Sequence, residues 1–502
     1  MIKRILFLFS LVILFSKNVY SLDLFDKEEV IQDGLNVFEL SNDFADIYEK
    51  LNSIKWAGKK KSISIKNLDK FYKNFEVSST SDRIVFLLNS EIISNYKNPK
   101  ENDWNAQGQL TTALILKLRS IEKNFSKLSK DEIYQIVVKS LMFNIGENGK
   151  YISDKNLFKL GTILTSLGII GYKSKSGTFY ISGIIQNSAA YDSDINIGDV
   201  ITKINGKDVS KIKYSDFINI LYGNVLSTVK LTLVTSVGER QVVLKRSSII
   251  LADTDIVLKK TSNNLNILEI TIHRLTDNSV SIVSEALKKY KDISGIVLDL
   301  RNTFGRDEFI TAKLAGLFLG KKSIMRIIES DKSEVEIISS EVSKVNVPVV
   351  VLISSSTRGT AEALAYSFYE NKKGVLIGTP TLGNANIPTI LNLKNTGKLE
   401  VFNKIFKSGT GDDIYKIGVF PIVCLSNIKG EKQQNTFFVN VNNNSFKYND
   451  FNKKKDINIK SVRFACPNIK NGMEEDIIST AVSTKILTDK RIYNKLVNQD
   501  GK

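Results

Sequence analysis

The residues of this chain that could carry out chemistry are few, and the histidine count limits them most. His273 is the one histidine among 502 residues, so sites built on two or more histidines, such as HExxH zinc proteases, are excluded. A Ser-His-Asp triad would need His273 as its base. Two cysteines exclude a zinc ribbon and a dense disulfide scaffold. We therefore predict no metal centre and no cofactor.

Hydroxyl side chains cluster where a buried strand gives way to a helix. The apolar run at residues 347–353 predicts the strand, and a helix is predicted from Thr360 to Lys372. A serine or threonine hydroxyl becomes a nucleophile only when a base takes its proton. Lys372 would lie about 20 Å along the helix from this turn, at 1.5 Å per residue. The hydroxyls near the turn are those of Ser354, Ser355, Ser356, Thr357 and Thr360.

The apolar patterns along the chain predict the helices and strands that position these residues. Together they predict a multidomain fold of the α/β and α+β classes. Residues 22–164 have apolar side chains at helical spacing and predict a helical N-terminal region. From residue 165 the period changes to two, which predicts a β-rich domain over 165–247. Continuous apolar runs in residues 248–427, among them 295–300 and 347–353, predict buried parallel strands of an α/β core. A helix is predicted from about Glu308 to Leu319. Residues 428–502 are predicted as a C-terminal extension that packs on this core.

The first 21 residues have the pattern of a secretory signal peptide. Lys3 and Arg4 precede an apolar stretch from Ile5 to Phe15, and compact residues lead to a cut after Ser21. A membrane span needs roughly 20 apolar residues, and no other stretch approaches that length. We therefore predict an exported, periplasmic protein of the bacterial cell envelope, with no integral span once the signal is removed.

The formal net charge of +17 raises the question of nucleic-acid binding. Its longest basic runs, at residues 59–61 and 453–455, are short and have no interleaved aromatic residues. Arginine, which suits phosphate recognition, is the minority among the cations. We therefore interpret the charge as a lysine-rich surface and predict no nucleic-acid partner.

Export also bears on the cysteines, Cys424 and Cys466. In an oxidising compartment, a disulfide between them is favoured, and two separate buried thiols are the alternative.

The domain at residues 165–247 contains the stretch Ile197-Gly-Asp-Val-Ile-Thr-Lys-Ile-Asn-Gly-Lys-Asp-Val209. This stretch resembles a PDZ domain. The resemblance implies binding of protein or peptide C-terminal tails by strand addition, with the tail carboxylate held by backbone N–H groups. Leu167, Gly168 and Ile169 are the expected carboxylate-binding loop. An internal docking domain without a peptide ligand is the alternative.

Three stretches of the core carry a second resemblance. They are Asp299-Leu-Arg-Asn-Thr-Phe-Gly-Arg306, Ser355-Ser-Thr-Arg-Gly-Thr-Ala-Glu-Ala363 and Gly378-Thr-Pro-Thr-Leu-Gly-Asn384. In order and spacing they resemble the carboxyl-terminal-processing (tail-specific) serine proteases, over residues 160–425. That family cleaves peptides with a Ser-Lys pair, in which burial makes the lysine basic enough to activate the serine.

The family's motif spacing indicates that both reactive residues are replaced in this chain. The nucleophile position is Gly359, three residues before Glu362, and the lysine position is Asn384. Glu370 stands at the family's acidic position, and Gly305 would be the oxyanion donor. Glycine has no side chain to attack a carbonyl, and an asparagine amide is not basic near neutral pH.

The sequence thus predicts a pseudoprotease of this family that binds C-terminal tails and that acts alone or beside an active protease relative. One alternative is an active periplasmic endopeptidase with shifted catalytic residues, for which Thr360 is the fallback nucleophile. A second alternative is a structural envelope protein. Arg306 replaces a family glycine beside Gly305, and the sequence does not say where its side chain points.

Overall fold

The structure is a computed structural model of the chain. It describes residues 31–498 except 33–34, 55–62, 71–73, 144–147, 154–162, 175–176, 186–187, 213–216, 218–219, 236–237, 251, 340–344, 429, 447–451, 453–457 and 470–471. The predicted signal peptide, residues 1–21, lies outside these residues. The chain divides into two compact units, the first formed by residues 1–157, 326–336 and 386–406 and the second by the remainder.

Four helices and a 3-10 helix form much of the first unit. They start at side chains that cap free backbone N–H groups. Ser129 and Glu132, for example, form a capping box at the start of α4. The inward faces supply a core that includes Phe44, Leu114 and Tyr134. The elements are α1 (Val37–Asn52), the 3-10 helix Ile65–Lys70, α2 (Trp104–Ile121), α3 (Lys123–Ser126) and α4 (Lys130–Met142).

The prediction that residues 22–164 are a helical region is wrong in part, because this region also contains an antiparallel sheet. Its inward side chains, Ile84 and Phe86, alternate along the middle strand and are fully buried. The strands have only five to seven residues each, so their two-residue period is short in the sequence. They are β3 (Phe75–Ser79), β4 (Arg83–Leu88) and β5 (Glu91–Lys97), after a small ribbon of β1 (Ile31–Gln32) and β2 (Leu35–Asn36).

The first unit also takes in two segments that the sequence places in the α/β core. A hairpin of two strands in residues 386–406 contributes Leu399 and Val401 to the core of the first unit. The first unit is therefore not continuous in sequence, because the second strand of this hairpin, β25, pairs with β6. The strands of this sheet are β6 (Asn148–Ile152), β19 (Ser323–Ile328), β20 (Glu334–Ile338), β24 (Asn386–Asn392) and β25 (Lys398–Ser408).

In the second unit, an antiparallel sheet with the order β13-β12-β10-β9-β8 builds the predicted PDZ-like region. Its core includes Phe179, Ile201, Leu231 and Leu233. Its strands are β8 (Ile169–Lys173), β9 (Phe179–Ile184), β10 (Val200–Ile204), β11 (Lys207–Asp208), β12 (Thr228–Thr235) and β13 (Gly238–Lys245). A 3-10 helix at Val209–Lys211 and a ribbon of β7 (Ile163–Ser166) and β14 (Ser247–Ile250) accompany this sheet.

The second unit also contains a six-stranded sheet with the order β15-β16-β17-β21-β23-β26, parallel except at β15. Its middle strand, β21, is wholly apolar and buried, as expected of a parallel strand covered on both faces. The strands are β15 (Thr254–Lys260), β16 (Asn266–Ile272), β17 (Gly295–Asp299), β21 (Val349–Ile353), β23 (Val375–Gly378) and β26 (Val423–Cys424). A short bridge joins β18 (Phe304–Gly305) to β22 (Arg358–Gly359).

Helices complete the second unit, and Cys424 and Cys466 form the predicted disulfide. Helix α6 has the bounds that the sequence predicts. The helices are α5 (Asp277–Lys289), α6 (Glu308–Leu319), α7 (Thr360–Glu370), the 3-10 helix Leu425–Asn427, α8 (Glu431–Asn442), α9 (Ile459–Ala465), α10 (Gly472–Thr488) and α11 (Lys490–Asn498).

Candidate functional site

The centre of the candidate site is the sharp turn between β21 and α7. Gly359 precedes the first residue of α7 and has φ 62° and ψ −141°. Such angles are open to glycine and strained for residues with a side chain. A strand-to-helix turn of this kind presents the nucleophile in other hydrolase folds. Gly359, which the motif spacing predicts at the nucleophile position, stands at this turn.

The space beside Gly359 is filled by backbone. β22 pairs with β18 in parallel, so Gly305 lies opposite Gly359. A Cβ atom at residue 359 would lie less than 3.0 Å from the carbonyl oxygen of Gly305 and 2.9 Å from Cε2 of Phe304. Real Cβ atoms do not approach other atoms so closely, and a backbone oxygen cannot rotate away. The turn therefore has no room for a serine side chain.

The role of Gly305 as oxyanion donor stays a prediction. Its carbonyl oxygen is the Gly305 atom nearest to a Cβ added at residue 359. The guanidinium of Arg306 stacks on the Phe304 ring, 4.8 Å from the ring centroid. Arg306 thus covers the side chain that closes the turn.

Asn384, at the family's lysine position, lies next to Gly359. The N–H of Gly359 donates to the Asn384 carbonyl oxygen over 3.1 Å. The structure therefore brings together the two positions that the motif spacing selects. Their contact is between backbone atoms.

Glu362 is the buried charged group of the site, and sequence analysis used it only to count positions. Its side chain is fully buried in the first turn of α7. Thr381 Oγ1 donates to its Oε1, as does the Gly383 N–H over 2.8 Å. Burial raises the pKa of the Glu362 carboxyl to about 7, although these hydrogen bonds oppose the shift. The sequence signal for this buried carboxyl is a single acidic residue within an otherwise apolar stretch of the helix.

The hydroxyls near the turn serve as structural groups. Thr360 is fully buried, and its Oγ1 accepts from Thr311 Oγ1 over 2.7 Å. Thr357 Oγ1 donates to the Leu300 carbonyl oxygen over 2.7 Å, and Ser354 Oγ donates to that of Arg301. The selection of Thr360 as fallback nucleophile stays a prediction, and burial of its side chain argues against it.

Two further residues considered in the sequence have hydrogen-bond partners outside the turn. His273 follows β16, is half-exposed, and its Nε2 lies 2.7 Å from Asp255 Oδ2. Glu370 ends α7, about 16 Å from the start of that helix at 1.5 Å per residue. Its Oε2 accepts from Thr410 Oγ1 over 2.9 Å, so it caps a surface turn.

The expected carboxylate-binding loop of the PDZ-like region is occupied by internal bonds. The Leu167 N–H donates to the Leu221 carbonyl oxygen over 3.1 Å. The Gly168 N–H donates to Ser166 Oγ over 3.0 Å. An entering carboxylate would have to replace both acceptors.

Beside this loop, β8 is an edge strand. Within the part of the chain that the structure describes, β8 pairs only with β9, through the register from Ile169–Ile184 to Lys173–Phe179. Its outer edge can therefore accept a further strand.

Among the described residues, no group of histidine, cysteine, aspartate and glutamate side chains is arranged to hold a metal ion. No helix in the described ranges is long and apolar enough to cross a membrane.

Comparisons with known proteins agree with this architecture. Residues 266–423 match the model of peptidase family S41, and residues 160–234 match the model of the PDZ domain. The first match covers the six-stranded sheet from β16 to β26 and includes Gly359 and Asn384.

Curated relatives are similar at low identity. The chain is 26% identical to the carboxy-terminal processing protease CtpA of Bacillus subtilis, over 60% of this chain and 65% of that protein. It is 24% identical to carboxyl-terminal-processing peptidase 3, chloroplastic, of Arabidopsis thaliana, over 64% of each chain. A probable CtpA-like serine protease of Staphylococcus haemolyticus is matched over 50% of its length at 25% identity. The chain thus spans between half and two thirds of these relatives.

Solved structures with a similar fold include the photosystem II D1 C-terminal processing protease, with 19% identity and a TM-score of 0.42, over 61% of this chain and 85% of that chain. A putative S41 protease from Bacteroides fragilis matches over 59% of this chain and 82% of its own, with 19% identity and a TM-score of 0.44.

Proposed function

We propose that this chain is a member of peptidase family S41, whose model matches residues 266–423, and that it captures protein C-terminal tails without cleaving them by the Ser-Lys mechanism. In this proposal the PDZ domain is the binding module and the α/β core is a protease scaffold without a nucleophile. Carboxy-terminal processing is the activity that the names of its relatives state.

One observation carries the proposal: the turn at Gly359 has neither a nucleophile nor the space for one. The carbonyl oxygen of Gly305 occupies the direction in which a side chain would project. Loss of a side chain alone could be offset by a neighbour, but the nearest candidate, Thr360, is fully buried. Asn384 supplies no base. A peptide bond brought to this turn would meet no group able to attack it.

Tail capture is proposed from the PDZ domain. β8 stands at the end of its sheet among the described residues, the position at which PDZ domains add an extended peptide as a further strand. Tails with apolar ends are the ligands we expect, because Ile170 on β8 is exposed. None of the described contacts points to an active protease relative, so the proposal leaves that partner out.

Export to the periplasm is the location we propose, from the signal-like pattern of residues 1–21 and the disulfide between Cys424 and Cys466. Disulfides persist in oxidising compartments.

The experiment is a titration of purified residues 22–502 with a labelled peptide that ends in apolar residues and a free carboxylate. The same peptide with an amidated end is the matched control. We expect saturable binding of the free acid, weaker binding of the amide, and an unchanged peptide mass after prolonged incubation. Turnover that Ser356→Ala abolishes would favour the active endopeptidase with shifted residues. Absence of binding by both peptides would favour a structural protein.

A further inference from the structure

The segment that carries Asn384 is held from two sides. We call residues 381–384 the site loop. On one side, Glu362 Oε1 accepts from Thr381 Oγ1 and from the Gly383 N–H. The backbone of the loop also pairs with residues 416–419, through Thr381 N–H to the Val419 carbonyl oxygen over 3.0 Å and Lys416 N–H to that of Gly383 over 2.7 Å. These contacts satisfy the donors of the loop.

The carbonyl oxygens of the loop are held from the other side by Arg463. Its Nη2 lies 3.0 Å from the carbonyl oxygen of Thr381 and 3.2 Å from that of Leu382. The same nitrogen lies 3.4 Å from the carbonyl oxygen of Ile417. One guanidinium thus bridges the site loop and the segment beneath it. Hydrogen bonds from a charged donor are stronger than those between neutral groups.

Arg463 belongs to α9, a helix of seven residues. So short a helix is unstable by itself in water and depends on its anchors. Its described anchors are the buried side chain of Val462, the Asn427 amide, which donates to the Ala465 carbonyl oxygen over 3.0 Å, and Cys466. Cys466 follows Arg463 by one helical turn and is bonded to Cys424 at the end of β26. The disulfide is the covalent anchor.

The disulfide borders a cavity. Cys424 and Cys466 both line this cavity of about 580 Å³, together with Phe437, Phe446 and Val462. Cys424 is half-buried and Cys466 is 8% exposed, so Cys424 is the more accessible of the two cysteines to a thiolate.

We propose that Arg463 is a positioning residue for the site loop and that the Cys424–Cys466 disulfide, through α9, makes this positioning sensitive to redox conditions. This inference rests on the proposed function in one respect, namely that the site loop belongs to the same site as Gly359. In the oxidised protein the loop stays fixed against Gly359. In the reduced protein α9 loses its covalent anchor, and Arg463 no longer holds the loop carbonyls.

The redox step balances with a dithiol as the reductant. One thiolate of the dithiol attacks a cysteine sulfur, the bond between the two Sγ atoms breaks, and a mixed disulfide forms. The second thiol then closes the reductant into its own disulfide. Two electrons and two protons end on Cys424 and Cys466 as thiols.

The test is amide hydrogen exchange of residues 22–502, read by mass spectrometry with and without dithiothreitol. We expect the amides of residues 381–384 to exchange about tenfold faster after reduction, with β21 unchanged. Oxidised Arg463→Ala should show the same local acceleration, and Arg463→Lys should recover part of the protection. Arg491→Ala, at an exposed arginine of α11, is the matched control and should change neither region.

Three results would overturn the proposal: acceleration confined to α9, equal acceleration in β21, or an unchanged site loop in Arg463→Ala. A cleavage assay on the same samples separates this inference from the proposed function. Cleavage by the wild type would contradict the proposed function. It would not affect the conclusion from hydrogen exchange about Arg463 and the disulfide.

Discussion

The turn at Gly359 and the loop at Leu167–Ile169 are both closed in this structure, but by different means. At the turn, the backbone of Gly305 fills the space that a side chain would need. At the loop, two backbone N–H groups bond to Leu221 and Ser166, acceptors that another acceptor can replace. Exchanging one hydrogen-bond acceptor for another changes the free energy little. Room for a side chain at residue 359 requires a shift of the backbone, which costs more.

Under the proposed function, this difference separates a region that binds from a region that does not cleave. Exchangeable hydrogen bonds leave the loop available to a ligand, whereas the backbone of Gly305 stands where a side chain at residue 359 would project. Four experiments test this difference between the turn at Gly359 and the loop at Leu167–Ile169.

The largest effect is expected from Gly359→Ala. The added methyl group would meet the Gly305 carbonyl oxygen at a backbone conformation that disfavours side chains, so we expect the free energy of unfolding to fall by about 4 kcal/mol. Gly411→Ala is the control, because Gly411 also has positive φ but has nothing within 4 Å of an added Cβ. Its expected loss is about 1 kcal/mol. Equal losses in denaturant titrations would show that the turn relaxes readily.

Reduction of the disulfide should weaken the α/β core of the second unit without impairing the PDZ domain of the same unit. The cysteines are 42 residues apart, and opening such a loop should lower the free energy of unfolding by about 3–4 kcal/mol. Tail affinity should stay unchanged. The double variant Cys424→Ser, Cys466→Ser should be insensitive to reductant, and a loss of tail affinity on reduction would couple two regions that this account separates.

Glu362→Gln should alter how stability depends on pH. The pKa of Glu362 in the folded protein is about 7, above its ordinary value of 4.5. The stability it contributes is therefore full below pH 4.5 and is lost as pH rises through 7. Relative to the variant, the wild type should lose about 2–3 kcal/mol between pH 5 and pH 8.5 in chemical unfolding. If the stability of the wild type and of Glu362→Gln changed with pH in the same way, Glu362 would not be the group that titrates.

The smallest effect is expected from Ser166→Ala in the PDZ domain. The change removes the internal acceptor of the Gly168 N–H, so a tail carboxylate would no longer compete with it. We expect affinity for the free-acid peptide to rise about threefold, equivalent to roughly 0.6 kcal/mol. The amidated peptide should show no gain. A weaker affinity for the free acid would show that Ser166 supports the loop instead.

Much of the architecture follows from local pattern. The apolar runs predict β17 and β21, α6 has its predicted bounds, and the disulfide pairs as expected. The motif spacing also selects Gly359 and Asn384, which prove to be hydrogen-bonded neighbours.

The remainder depends on contacts between segments that are distant in the sequence. Arg463 contacts the site loop across sequence separations of 82 positions, to Thr381, and 81 positions, to Leu382. No local sequence pattern predicts a contact over such a separation. The burial of Thr360 depends on α6, and the closure of Gly359 depends on β18. The sequence indicates a missing side chain, and the missing space becomes evident only in three dimensions.

The most direct test of the central claim is whether restoring both reactive residues restores cleavage. The double variant Gly359→Ser, Asn384→Lys is incubated with a disordered reporter that ends in an apolar, free-carboxylate tail, and fragments are followed by mass spectrometry beside the wild type. We predict no fragments above the wild-type level, because the serine side chain would collide with the Gly305 carbonyl oxygen. Steady release of fragments by the double variant would show that the catalytic groove is open, and would contradict the account.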